Sequence, residues 1–430
     1  MEPISAPFQR LCQTVGESFA LAPDRKRSPW AVLPQCPDFR WYFIGSVSSD
    51  MGTWVQNTAQ VLLAYHLTHS VLTVALVTCA QFSSPLVLGP WAGVMTNRFG
   101  GRKTLLYTDL VSSAIAGLLA FLQFAGWLNE AWLVTGAIAI GLTFTFALPA
   151  RNVTIRRLVK PDQTRAAYAM DSVSYNLGRA LAPPLSVGII TTIGFGYAFA
   201  LNAVSFLLFT AVLAFVGQGS TEPERHSRVR DGFLIAYREG RIMIVLLMVV
   251  AVTLAADPVL VLGPALASHV FGRSASWSGL FIAALGAGSV LGSVRRSKHT
   301  PSLKLAATAL AALGCCMISF VLAPQFWFSV VAAGAAGAAC LVANSSTRAL
   351  LAKEAGPLKE ASVMAVWAIA WAGSKPLASL TDGLLPSAIG IRATGILLAL
   401  PALVPILVLV FRPEIGHKLA RSRPEPATAA

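Results

Sequence analysis

The chain has 430 residues, 55% of them hydrophobic and 12% charged, against roughly 25% charged in a typical soluble domain. That composition excludes an ordinary soluble globular protein. The apolar windows, about 20 residues long, also exclude a β-barrel, whose strands alternate over about ten residues. A net charge of +14 would suggest nucleic acid in a soluble chain, but here it follows from where the basic residues fall, and no nucleic-acid partner is expected.

In chain order, residues 1–37 carry Pro and mixed charge without the basic start and apolar run of a signal peptide, and read as a cytoplasmic tail. Apolar stretches follow at about 40–65, 71–92, 104–125, 131–150, 167–192 and 197–217. A polar, basic segment at 218–241 then reads as a cytoplasmic linker with an amphipathic patch (Phe233, Leu234, Ile235, Tyr237) suited to the membrane surface. A second set of stretches lies at about 242–263, 275–294, 304–323, 325–346, 360–386 and 390–411, and residues 412–430 form a second tail.

Each stretch is long enough to cross a hydrocarbon core roughly 30 Å thick. Of the 33 Lys and Arg, only Arg273 and Arg392 fall in even-numbered connectors, and Arg179 and Lys375 lie inside apolar stretches. Basic residues are retained on the cytoplasmic side, so both termini are expected there. The expectation is an all-α membrane protein of twelve transmembrane helices in two pseudo-symmetric six-helix halves, 38–217 and 242–411, in an inner or plasma membrane. The six cysteines sit in the N-terminal tail or in apolar stretches, so no disulfide framework is expected.

The connector after the second stretch reads GVMTNRFGGRK, residues 93–103. It resembles the signature of the major facilitator superfamily, with Gly93, Arg98, Gly100, Arg102 and Lys103 matching and Asn97 standing where the family has Asp. Gly93 is expected to allow close helix approach and Gly100 a tight turn. The family acid locks the two halves on the cytoplasmic side. Asn97 brings no charge, so a weaker inner gate is expected. The segments SDMGTWVQNTAQ (49–60), LGPWAGV (88–94), 149–185 and EASVMAVWAIAWAGSKPL (360–377) are similar to the enterobactin-exporter-like branch, close to the macrolide-efflux and drug:proton antiporter families. This implies a twelve-helix exporter with a rocking cycle. NLGRALAPPLSVG (176–188) departs from the antiporter signature of the fifth helix, because Ala182, Ser186 and Val187 replace glycines.

Ionisable residues inside the hydrocarbon are costly and need a partner or a watery cavity. They are Asp50, Asp109, Asp171, Arg179, Asp257, Lys375 and Asp382. The resemblance places helices one, four, seven and ten around the cavity, which makes Asp50 and Asp257 the proton-coupling candidates. Asp257 precedes Pro258, so a helix-break role competes. Asp50, Thr53, Trp54 and Asn57 share a helix face. Thr143, Phe144 and Asn344 are further cavity candidates, equally readable as packing. Arg179 and Lys375 belong to the surfaces where the halves meet, Lys375 as a counter-ion for an acidic substrate or an acid across the interface. Lys375 and Asp382 are too far apart along the axis to pair directly. The fourth stretch holds no ionisable residue before Arg151.

No phosphate-binding loop, metal spacing or nucleophile motif is present, so neither an enzyme nor a cofactor or metal is expected. The expected function is secondary active export of amphipathic small molecules of drug or siderophore type, by proton antiport, from a monomer in the bilayer. Uptake or lipid or organic-anion transport, and a non-transporting sensor or scaffold, are the alternatives.

Overall fold

A computed structural model describes residues 29–217, 234–235, 237–296 and 302–411, and every described element is helical. The first tail up to residue 28, the last tail, and residues 218–233 and 236 of the linker, Phe233 among them, lie outside the described residues.

Helices α1 (Pro37–Thr68), α2 (Val71–Phe99), α3 (Gly101–Phe124), α4 (Glu130–Leu158), α5 (Thr164–Thr192) and α6 (Phe195–Phe215) make up the first group. Their ends follow local chemistry. Pro37 opens α1 at its first turn, where a missing N–H costs nothing. Gly100 closes α2 at φ 85°, a conformation that favours glycine, which bears out the expected tight turn. The Asn129 side chain accepts from Trp132 N and caps α4. Helix α4 runs past Pro149 to Leu158, eight residues beyond the expected end of that stretch, because Ile155 continues its buried face.

In the second group, α7 (Gly240–Ala256) stops at Asp257, where Pro258 removes the next backbone donor. Short turns at Pro258–Val261 and Gly263–Ala265 and a π-helical turn at Leu266–Val270 carry the chain on. Then come α8 (Ser278–Arg296), α9 (Leu303–Leu322), a long helical run α10 (Phe326–Leu384), α11 (Ile391–Ala399) and α12 (Val404–Phe411). Around Pro401 the last two bend by 46°.

The α10 run is not one rod. The Arg348 guanidinium lies 4.8 Å from the centre of the Trp367 ring, yet 19 residues of straight helix would separate them by about 28 Å. The run therefore folds back between them, where Gly356 and Pro357 stand in the sequence. Its two arms correspond to the expected stretches at 325–346 and 360–386.

Among the described residues, eight helices are long and apolar enough to cross a membrane, and the bent α11–α12 pair would make nine. The helices over the first, fifth and eleventh expected stretches fall outside that set; the first carries Gln56, Asn57 and Gln60 beside Asp50, the fifth Asp171 and Arg179, and the eleventh Lys375 and Asp382. Polarity, not length, separates them.

Packing divides between the groups. One apolar core draws only on residues 242–402, while the other two draw on the first group, joined by Val261 and Ala265. Close contacts between the groups run along two helix pairs. On α2 and the second arm of α10, a Cβ at Gly373 would meet Leu86, and one at Gly383 would meet Ala75. On α5 and α8, Gly286 abuts the Arg179 carbonyl and Gly279 abuts Val187. The Tyr65 hydroxyl adds bonds to Ser268 Oγ (2.7 Å) and His269 Nε2 (3.1 Å). These contacts lie from mid-bundle to the end away from the 93–103 connector, so that end is closed.

Candidate functional site

The densest polar cluster joins α1, α4 and α5. Arg151 of α4 donates from Nη1 to Asp50 Oδ1 and from Nη2 to Asp50 Oδ2, both at 2.8 Å. Its Nε donates to Asp171 Oδ1 at 2.7 Å, and Nη2 also reaches Ser46 Oγ. Ser174 Oγ donates to Asp50 Oδ2. The two-point fork on Asp50 matches guanidinium to carboxylate, the strongest geometry for such a pair. Asp50 is 6% exposed. Asp109 of α3 is also buried nearby, and its Oδ2 has no hydrogen-bond partner among the described residues. Several carboxyl groups thus converge on one guanidinium.

Sequence reasoning did not assign Arg151 a role. The apolar pattern puts it just past the end of the fourth stretch, but α4 continues and carries it to Asp50. The available signal was the apolar residue Ile155 one turn beyond, which extends the buried face.

The Asp50 face of α1 splits among partners. Trp54 meets the Tyr175 ring edge-on at 5.6 Å, and Arg179 lies 5.8 Å from the Trp54 ring. Asn57 turns to α2, accepting from Gln81 Nε2 at 2.9 Å. Thr53 is half-buried. On α4, Thr143 Oγ1 accepts from Ser112 and donates to the Ile140 carbonyl, which ties it to packing. Phe144 meets Phe82 at 6.5 Å. Phe82 in turn faces Lys375, whose Nζ lies 3.9 Å from that ring and 5.2 Å from the Trp371 ring. Phe82 and Trp371 are further site residues the sequence alone did not single out.

Asp257 ends α7 and accepts from Ser379 Oγ at 2.6 Å, so it both breaks the helix and bonds the second arm of α10. Asp382 is fully buried, and neither carboxyl oxygen has a partner among the described residues. It makes no pair with Lys375, as its spacing implied. Asn344 is half-buried with an unpartnered Oδ1. No group of His, Cys, Asp and Glu able to hold a metal occurs among the described residues.

In the 93–103 connector no close helix approach is present at Gly93 in this conformation. A Cβ there would meet nothing within 4 Å, because the groups are joined at the other end of the bundle and nothing meets the Gly93 face, although Ala92 and Thr96 beside it are buried. Arg102 donates from Nε to the Leu213 carbonyl (2.7 Å) and from Nη2 to the Ala214 carbonyl (2.6 Å), closing the end of α6 within its own group. Arg98 and Lys103 are exposed. The Asn97 side chain lies outside the described residues.

The fold is matched by solved structures. A bacterial homologue of the human lysosomal transporter Spinster, crystallised inward-facing and unoccupied, superposes with a TM-score of 0.67 at 14% identity, covering 91% of this chain and 99% of its own. The occupied form gives 0.63, also at 14% identity, over 90% and 98%. At that identity the likeness is one of fold. The uncharacterized MFS-type transporter YfiS of Bacillus subtilis (strain 168) is 25% identical over 170 residues, 39% of each chain. MFS-type transporter y4rN of Sinorhizobium fredii, also uncharacterized, is 24% identical over 138 residues, 29% of this chain and 34% of its own. The chain thus aligns with well under half the length of these curated relatives. The family described as transmembrane secretion effectors matches residues 27–423. Over nearly its whole length, therefore, this chain belongs to the transmembrane secretion effector family of MFS-type transporters.

Proposed function

We propose that the chain is a secondary active exporter of amphipathic small molecules, of the drug or siderophore type handled by the enterobactin-exporter-like branch, working by proton antiport. In this reading twelve helices form two six-helix halves, 38–217 and 242–411, with both termini cytoplasmic. The carrying observation is Asp50, buried and forked by a guanidinium that it shares with Asp171. Two carboxylates facing one guanidinium leave one negative charge to balance in a medium that penalises it. A proton taken from one side and released to the other balances it in one conformation and not the next. That differential is what couples a proton to a rocking cycle.

The conformation fits the cycle. The bundle is closed away from the 93–103 connector, while Gly93 stands free. If basic residues mark the cytoplasmic side, this is the inward-open state. Closing that side would bring Gly93 against the other half. Gly93→Leu is then expected to leave the melting temperature unchanged and slow transport several-fold. An unaltered rate would show that α2 does not close there.

Purified protein in liposomes with an internal pH-sensitive dye, offered ethidium, erythromycin or a catecholate siderophore, tests the reading. Proton movement triggered by one compound and absent in Asp50→Asn supports antiport. Equal movement in that variant refutes the assignment to Asp50.

A further inference from the structure

Two cations in mid-bundle have no acid in direct contact among the described residues. Neither Arg179 of α5 nor Lys375 on the second arm of α10 has a carboxylate oxygen within 4.0 Å among the described residues. Each lies instead over aromatic rings, Arg179 over Trp54 and Lys375 over Phe82 and Trp371. Cation–π contact of this kind offsets only part of the lost hydration. Asp257 and Cys340, on α7 and the first arm of α10, both lie within electrostatic reach of the two cations. Asp257 is the one carboxylate of the three-charge group, and Ser379 already bonds it. One positive charge is therefore left over. Below Arg179, the Trp54 indole is 6% exposed and its Nε1 has no hydrogen-bond acceptor among the described residues. An unpaired guanidinium, an unpaired ammonium and a free indole N–H are all donors, and the groups beside them are flat apolar rings.

We infer that Arg179 and Lys375, one from each half, hold the acidic head of a soluble aromatic anion whose ring rests on Trp54, Phe82 and Trp371. The site rests on the transport reading above, and it names the substrate class. Because the two cations belong to opposite halves, a bound anion draws the halves together at mid-bundle, which a ligand held by one half alone would not do. It also answers the excess charge that Asp257 leaves. Phe144, edge-on to Phe82, extends the apolar wall from α2 to α4.

Equilibrium titration calorimetry in nonionic detergent tests this without turnover, so it can fail while proton-coupled transport stands, and the reverse. The probes are naphthalene-2-sulfonate, the neutral naphthalene-2-sulfonamide, inorganic phosphate and dioleoyl phosphatidate. The sulfonate is expected to bind at least about tenfold more tightly than the sulfonamide or phosphate, as charge-assisted hydrogen bonds imply. Lys375→Gln and Arg179→Gln should each weaken the sulfonate about tenfold and leave the sulfonamide unchanged. Equal binding of sulfonate and sulfonamide, or sulfonate binding untouched by both substitutions, overturns the site. Phosphate binding as tight as the sulfonate overturns the aromatic part, and displacement of the sulfonate by phosphatidate overturns a soluble ligand. Should a Gln variant lose the sulfonamide too, its fold has collapsed and Lys375→Arg decides. Retained sulfonate binding there upholds the site, and its loss rejects it.

Discussion

Replacing Arg151 with Gln is expected to destabilise the protein by about 3–5 kcal/mol, the cost of leaving a buried charge without its partner. The guanidinium makes two bonds to Asp50 and one to Asp171, with the Arg151 side chain only 19% exposed and that of Asp50 7%. Gln has one amide group and cannot fork Asp50 while reaching Asp171. The sharper test is the double variant Asp50→Asn/Arg151→Gln, which removes both charges. Thermal unfolding in detergent, followed by tryptophan fluorescence, should show the double variant more stable than Arg151→Gln alone. If the double variant is the less stable, the pair is not the principal contact of either residue.

The second large effect concerns α8 and the first arm of α10. A Cβ on Gly288 would fall 1.8 Å from the Gly334 carbonyl oxygen, and one on Gly337 would fall 1.9 Å from the Leu285 carbonyl oxygen. The obstacle is backbone on both sides, so no rotamer relieves it and the helices must separate. Small residues let helices approach closely in lipid, where van der Waals packing holds them. Gly288→Ala and Gly337→Ala are each expected to cost about 1–3 kcal/mol, as overpacking does. Gly89→Ala, with nothing within 4 Å of its Cβ, is the control and should melt with the parent. Equal melting of all three variants would mean the crossing is looser than described.

The helices and some of their ends were legible because local chemistry writes them. Gly100 at its turn and Pro258 after Asp257 mark their sites in the sequence alone. The three polar helices were also visible, since their length and flanking charges outweigh a few ionisable residues. What the sequence hid was pairing. Arg151 looked like the first basic residue of a connector, because a positive charge after an apolar run normally marks the membrane edge. Only the three-dimensional path of α4 past Pro149 brings it to Asp50. Gly93 shows a different limit: a signature glycine implies close packing, and whether that packing is made depends on which end of the bundle is shut. The tie from Phe144 through Phe82 to Lys375 joins positions as far apart in the chain as 82 and 375 and has no local trace.

The most direct test of proton coupling through Asp50 compares two modes of transport in one liposome preparation. The compound is whichever one triggers proton movement in the parent. With a proton gradient imposed, the parent should accumulate it against its own gradient, and Asp50→Asn should not. With no gradient and labelled compound exchanging for unlabelled, Asp50→Asn should still exchange, because rocking and binding remain. Gradient-driven accumulation by Asp50→Asn at the parent's rate would contradict the account.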